Sequence, residues 1–406
     1  MKGVIRPGGK IMKHLIATMT AVLMMNAAAG AVTLKWSINA DDRLEITRTA
    51  QVKVFLGKKD SRTREERNII DLTCYDNSGG IHRVKGVFSV YVKQPKEKVF
   101  TLSKQYPTDF AIEPNGKYRV PDKYYIPNLR HIPTFPEKDL AQGEKWTSPA
   151  ELVLDDFSVP FKLIFNVEYV YDGVKKIDGR DAAVINYDYE ITKDLENMKV
   201  PADFPVKIRG RSTGTIYWDI AKNTLIEIKE KYKISFFFIS GNALVDNSVL
   251  QYIETKNRTY SAVTPEEKEK AKKEIQKEIP KDSGIDVDTD RRGLVLRLGE
   301  ILFDFDSYRL RDDAVARIDK ITDILKKRYP DREIIVEGHT DGTGGKEYNY
   351  RLSRERARSV AERLQSGTGH DRLSYRGLGP DSPIADNDTK DGRQKNRRVE
   401  IIIKLH

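Results

Sequence analysis

Two periodicities divide the chain. From about residue 32 to residue 260, apolar residues recur at every second position. In FKLIFNVEYVY, Phe161, Leu163, Phe165, Val167, Tyr169 and Tyr171 share one face. Lys162, Asn166 and Glu168 share the other, with Ile164 and Val170 as exceptions. Ala183, Ile185, Tyr187, Tyr189 and Ile191 repeat the pattern, as do Ile226, Ile228, Tyr232, Ile234 and Phe236. Period-two runs predict strands with one buried face, and one-sided burial is the habit of antiparallel sheets, so residues 32–262 read as a mainly antiparallel β-domain. Seven of the 17 prolines fall between Pro107 and Pro149. That stretch reads as an ordered, mostly irregular crossing between sheet segments.

The period then changes. Thr264 to Pro280 predicts a helix, with Thr264 as cap, Pro265 in the first turn, acids early and Pro280 as the stop. It is nearly all charged apart from a thin stripe of Ala271, Ile275 and Ile279. The plain reading is a solvated connector; the alternative is a helix that docks. KDSGIDVDTDRRG reads as a flexible linker, so residues 263–292 form a charged helix and linker. From Gly293 to the end, strands alternate with helices. Ala314, Ile318, Ile321 and Leu325 mark one helix face, and EIIVEGHTD, LSYRGLG and RRVEIIIK read as strands. This is the pattern of a compact α/β domain of βαβαβ type.

Charge and composition narrow the class. The net charge is +10, and Lys2, Arg6, Lys10 and Lys13 precede the first acid, so the rest of the chain carries 10 − 4 = +6. No stripe of basic residues is interleaved with aromatics, so nucleic acid is not an implied partner. A cell-wall polymer or an anionic membrane surface suits a mild positive charge. The basic start, the apolar run HLIATMTAVLMM and the small residues NAAAGAV form an export signal over residues 1–31, cleaved after Ala29 or Ala31, with Met12 as a candidate true start. The rival reading is an uncleaved anchor, but Leu15 to Met25 is short for a bilayer span. Cys74 is the one cysteine. It cannot form an internal disulfide and reads as a buried strand thiol.

The chemistry concentrates in GHTDGTGGKEYNYRLSRERARSV. Here Asp341 stands past an apolar strand, at the mouth of a glycine-rich turn, and an arginine-studded helix follows. Asn349, Leu352 and Arg356 are three and four residues apart and share a helix face. Together with LFDFDS before it and NRRVEI after it, this segment resembles the OmpA-like peptidoglycan-binding domain family, over Gly293 to Lys404. The positions in register are Gly338, His339, Thr340, Asp341, Gly344, Asn349, Leu352, Ser353, Arg356, Ala357 and Val360.

The resemblance implies non-catalytic binding of the peptidoglycan stem peptide at a diamino acid, meso-diaminopimelate or another such as ornithine, with no cofactor. Asp341 and Arg356 match the family's aspartate and arginine. An exposed carboxylate receives the ammonium of the ligand, and a guanidinium grips its carboxylate in a two-pronged geometry that lysine lacks. The resemblance gives lesser roles to the remaining positions. Thr340 and Gly344 shape the turn and offer amides, Asn349 bonds the peptide or orders the loop, and Leu352 packs under the ligand. Phe303 and Asp304 lie near the pocket. Arg398 adds a positive contact or, alternatively, ties the sheet end to the helices.

Several other readings compete. His339 has no histidine or cysteine at ligand spacing and reads as structural. No nucleophile elbow, phosphate loop or metal signature occurs, and the FDFDS acids lack partners for sugar cleavage, so no enzyme is implied. The leading expectation is a periplasmic, cell-wall-associated protein at the outer membrane. Its β-domain supplies a structural role or a contact to an envelope partner. The alternative makes the N-terminal half an outer-membrane β-barrel anchored to the wall by the same C-terminal domain. A motor stator needs a transmembrane helix with an acid, and a lipoprotein needs a cysteine at the cleavage point.

Overall fold

A computed structural model describes residues 31–405 apart from 58, 59, 125–128, 156, 241, 242, 261, 262, 281, 300, 301 and 305. The expected leader falls outside the described residues except for Ala31.

The β-domain runs through β1 (Arg43–Leu56), β2 (Asp60–Asp76), β3 (His82–Lys93), β4 (Phe100–Ile112), β5 (Tyr118–Arg119), β6 (Leu129–Arg130) and β7 (Lys145–Leu154). It continues through β8 (Phe161–Ile177), β9 (Arg180–Asp194), β10 (Lys207–Asp219), β11 (Thr224–Ser240) and β12 (Ala243–Tyr260). Each of these strands pairs antiparallel with its neighbours within the domain, and β1 pairs with both β2 and β12. The first and last strands therefore meet in the middle of a long curved sheet, whose two ends are β4–β5 and β6–β7. Side chains draw those ends together: Lys104 Nζ donates to Asp155 Oδ2 at 2.9 Å, and the Tyr106 hydroxyl donates to the same carboxylate.

The inner face is the apolar phase of the sequence. Leu163, Phe165, Val167, Tyr169 and Tyr171 are all buried, and Ala183, Ile185, Tyr187, Tyr189 and Ile191 lie beside them on the paired strand β9, on the same inner face. Trp218 is the largest fully buried side chain, with Trp36 and Phe135 edge-on to it at 4.9 and 4.8 Å. Trp36 belongs to the segment before β1, which the crossing between β4 and β7 holds inside through Trp36 N to Pro114 O and Val32 N to Leu140 O. This is why the proline-rich crossing is ordered. Its ends are not irregular, however: Pro107 and Pro149 lie within β4 and β7.

The outer face is charged. Lys162, Glu168 and Asp172 on β8, Asp188 and Glu190 on β9, and Lys229, Lys231 and Lys233 on β11 all point to solvent. An outer-membrane barrel presents an apolar band outward and polar groups inward. This domain does the reverse, which corrects the membrane-barrel alternative. Cys74 is fully buried on β2. Among the described residues, no helix is long and apolar enough to cross a membrane.

The connector also departs from expectation. Helix α1 (Pro265–Glu278) begins with the expected cap: Thr264 accepts from Glu267 N, and Glu267 reaches back to Thr264 N. It is not a solvated strut. Ile275 and Ile279, one turn apart, are buried in the C-terminal core, and Arg328 pairs with Glu274 at 3.0 Å and also contacts Glu278. The docking alternative is therefore the correct one. Nor is the following segment a flexible linker. Residues Ile285–Asp290 form β13, antiparallel to β14 (Gly293–Gly299), with Val287 buried against α1. The alternation in IDVDTD is a strand pattern that its acids obscured.

The C-terminal domain continues with α2 (Asp312–Arg328), β15 (Ile334–His339), α3 (Lys346–Thr368), β16 (Leu373–Gly379), α4 (Lys390–Asn396) and β17 (Arg398–Ile403). The sheet order is β13-β14-β17-β15-β16, antiparallel except for the parallel β15–β16 pair. Helices α2 and α3 cover one face, where Leu296, Val336, Val399 and Ile401 meet Ile318, Ile321, Val360 and Leu364. The sheet extends into the β-domain through a short parallel pairing of β16 with β4, Ser374 opposite Phe100. Arg372 with Glu45 at 2.6 Å and Tyr91 Oη to Glu333 at 3.2 Å brace the same junction.

Candidate functional site

The site forms where β15 gives way to α3. Gly338 sets how close the two come: a Cβ there would lie 2.0 Å from the Ser353 carbonyl, so only glycine lets α3 sit this low on the sheet. The chain then leaves the strand at Thr340, whose N–H donates to Gly379 O at 2.9 Å, and turns through Asp341 to Gly345. Gly344 has φ +89°, a left-handed conformation that suits glycine.

Asp341 lines the inside of this turn and, unlike the exposed carboxylate expected, is nearly buried, because the turn and Arg397 close over it. Its Oδ1 accepts from Thr343 N at 3.0 Å, and its Oδ2 accepts from Arg397 Nη1 at 2.6 Å. Burial alone would raise the carboxyl, but Arg397 and the Thr343 amide outweigh it and hold Asp341 below its ordinary value. The group is thus a fixed anion. Asn349 pins the turn to the helix, its Nδ2 donating to Thr343 O at 2.9 Å. Asn387 braces the far side by accepting from Gly342 N at 3.0 Å.

Arg356 lies two helical turns beyond Asn349 on the same face and is 6% exposed. Its Nε donates to Ser307 O at 2.9 Å, and its guanidinium carbon lies 5.3 Å from the centre of the Phe303 ring. Phe303 is buried and Asp304 is exposed beside it, facing Arg311 at 3.8 Å. Leu352, between Asn349 and Arg356, is half-buried. Asp341, Thr340, Gly344 and Asn349 are therefore gathered by the turn, whereas Arg356, Phe303 and Ser307 form a second group along α3.

Arg398 is not part of this assembly. β17 alternates, so Val399 and Ile401 face the helices while Arg398 and Glu400 face the other way. Arg398 is buried there, donating to Glu400 Oε1 at 2.8 Å and to Ser382 O at 3.0 Å. The arginine that meets the turn is its neighbour Arg397, on Asp341, which the motif reading does not single out. The same period-two rule was the available signal: 397, 399 and 401 share a phase, and it is the helix-side phase.

On that other face Glu337, His339 and Glu400 lie close enough to hold an ion, their ligand atoms all within 4.8 Å. The two carboxylates are already engaged by Arg292, Arg297, Arg376 and Arg398. Burial, helped by Arg398, pushes the His339 imidazole down to about 3, so it stays neutral among these charges. This is a structural network under the sheet.

The site is thus a buried anion at a strand–helix turn, with the Arg397 guanidinium against it. The family follows from comparison with known proteins. Residues 302–397 match the OmpA family, so the C-terminal part of the chain carries an OmpA domain. It is 37% identical over 123 residues to a probable lipoprotein, YiaD, of Escherichia coli, covering 30% of this chain and 56% of that protein. It is 40% identical over 103 residues to outer membrane porin F of Pseudomonas aeruginosa, covering 25% of this chain and 29% of the porin. The peptidoglycan-binding protein ArfA of Mycobacterium tuberculosis is 40% identical over 106 residues, with 26% of this chain and 32% of that protein covered. The chain thus spans about half the length of the first relative and about a third of the others.

Proposed function

We propose that the protein binds peptidoglycan without catalysis and attaches to, or senses, the cell wall from the periplasm, close to the outer membrane. The ligand is the diamino acid of the stem peptide, meso-diaminopimelate or a similar residue. Its free ammonium meets Asp341 and its free carboxylate meets Arg356. The carrying observation is that Asp341 is nearly buried, ionised and oriented before any ligand arrives. Such preorganisation lowers the cost of binding a cation. Thr340, Gly344 and Asn349 hold the turn, Leu352 and Phe303 give the ligand an apolar floor, and Asp304 stands at the rim. Arg397 both keeps Asp341 charged and supplies the extra positive contact. The envelope names of the relatives, and the peptidoglycan-binding name of one of them, support this reading. A contact between the β-domain and an envelope protein belongs to the same proposal.

The test is cosedimentation with purified sacculi. Asp341→Ala and Arg356→Ala each lose about 2–5 kcal/mol of binding, the cost of stripping one partner from a desolvated charge pair. Their far-ultraviolet spectra and melting stay close to those of the parent. Undiminished cosedimentation by a folded double variant contradicts the proposal.

A further inference from the structure

The inner face of the β-domain breaks its own apolar rule at one place. On β1 the inner phase reads Leu44, Ile46, Arg48, Ala50, Val52, and on β2 it reads Arg64, Glu66, Asn68, Ile70, Leu72. On β11 it reads Ile228, Glu230, Tyr232, Ile234. Strands β11, β12, β1 and β2 are consecutive in the sheet, so the polar residues among these share one stretch of inner wall. They line a cavity of about 820 Å³, a size that takes a small ligand. The cavity reaches the outside where β4 faces β7 across the Lys104–Asp155 contact, and Arg354 and Tyr375 of the C-terminal domain line that end.

Three groups on this wall are incompletely answered. Arg48 Nη2 donates to Gln251 Oε1 at 2.9 Å, and among the described residues Arg48 meets no carboxylate. Glu230 accepts from the Tyr189 hydroxyl at 3.0 Å and from Ser212 Oγ at 2.6 Å, both on Oε1, and among the described residues it meets no cation. Asn68 is 8% exposed, and its Oδ1 has no partner among the described residues. The three stand close together. Asn68 is opposite Arg48 across the strands, Gln251 is opposite Tyr232, and Glu230 is the inner residue just before Tyr232. Burial raises the Tyr232 hydroxyl; Glu230 adds to the rise and Arg48 opposes it, so both charges act on that ring. The other charges lining the cavity have partners. Arg64 pairs with Glu66 at 2.6 Å and Lys104 with Asp155 at 2.9 Å. On the C-terminal domain, Arg376 pairs with Glu337, Arg358 with Glu362 at 2.8 Å and Arg354 with Glu355 at 3.6 Å. Glu97 accepts from Gln94 N at 2.9 Å.

We propose that this cavity binds a short peptide with both termini free. Arg48 grips the terminal carboxylate with its fork of donors, Asn68 Oδ1 accepts the peptide N–H beside it, and Glu230 Oε2 receives the terminal ammonium. Paired with each other, Arg48 and Glu230 would cancel. Held instead on neutral groups, Gln251 on one side and Tyr189 and Ser212 on the other, both stay available to opposite charges on a ligand. Val90, Ile234 and Val249 line the same space and suit an apolar side chain. A simple anion would leave Glu230 and Asn68 unanswered. The site is separate from Asp341 and does not depend on the reading of that turn.

The experiment uses the chain from Ala31 onward, which comprises all the described residues and lacks the apolar leader. An equimolar mixture of unmodified dipeptides is dialysed to equilibrium against it, and the retained species are identified by mass spectrometry. The parent retains a subset with apolar side chains. The N-acetylated and the C-amidated mixtures are each retained at least about tenfold less. These capped mixtures test the proposal on the parent even where a variant fails to fold. Glu230→Gln loses the discrimination against acetylation and keeps that against amidation; Arg48→Gln shows the reverse. Asn68→Leu, of similar size, melts no lower than the parent because an unmet acceptor is gone, yet retains about tenfold less. Failure of the parent to retain any dipeptide, equal retention of the capped mixtures, or folded variants with unchanged retention overturns the proposal. Equal retention of acetate overturns it too, in favour of a simple anion site.

Discussion

The β-domain and the C-terminal domain are both built on alternating strands, but they break the alternation differently. The β-domain fills its interior with apolar and tyrosine side chains and sends most of its charges to solvent, with Glu45, Arg130 and Asp219 as buried exceptions. The C-terminal domain buries charge on both sides of its sheet: Glu337, Glu400 and Arg398 beneath it, Asp341 and Arg356 at its helix-side end. Burying charge is costly unless each group is answered, so every such residue needs a dedicated partner. That requirement constrains the second domain's sequence more tightly than the first domain's.

The largest effect should separate the two kinds of buried charge within the C-terminal domain. Arg398→Ala leaves Glu400 with less counter-charge in the interior. Burial would raise that carboxyl, and Arg398 and Arg292 hold it at about 2. Loss of one partner from a buried pair costs about 3–5 kcal/mol, measured as a lowered denaturation midpoint. Sacculus binding by the folded fraction is preserved. Asp341→Ala should show the opposite pair of results. If both variants lose binding in proportion to stability, the division between support and site fails.

The same contrast explains what could be read in advance. The β-strands were legible because each has one wet face: Leu163 to Tyr171 are buried at the expected phase, and even the exception Ile164 is 70% exposed. The turn at Asp341 and the face of α3 were legible because few residue types satisfy a left-handed glycine, a close helix and a buried carboxylate together. Three features were not. Strand β13 was hidden by its acids, which pair with residues distant in sequence, as Asp288 does with Lys272 and Arg297. The docking of α1 rests on two isoleucines, Ile275 and Ile279, too few to stand out in a charged helix. Arg397 and Arg398 are adjacent and chemically alike, and only the phase of β17 tells them apart.

A smaller effect sharpens the last point. Asp341 is held below its ordinary carboxyl value of 3.8, so its contribution is present above that value and is lost as pH falls through the depressed one. Arg397→Ala removes the leading stabiliser of the carboxylate, and sacculus binding should then fail at a higher pH than in the parent. Arg398→Ala should leave the acid limb of the binding profile in place. An unshifted limb in Arg397→Ala would assign Arg397 to the structural network instead.

The most direct measurement is calorimetric titration of the chain from Ala31 onward with two stem peptides that differ only in the diamino acid. One carries meso-diaminopimelate, with ammonium and carboxylate at its free end; the other carries lysine, with the ammonium alone. The account predicts tighter binding of the diaminopimelate peptide and loss of that preference in Arg356→Ala. Equal affinity for the two peptides, or a preference that survives in Arg356→Ala, would contradict it.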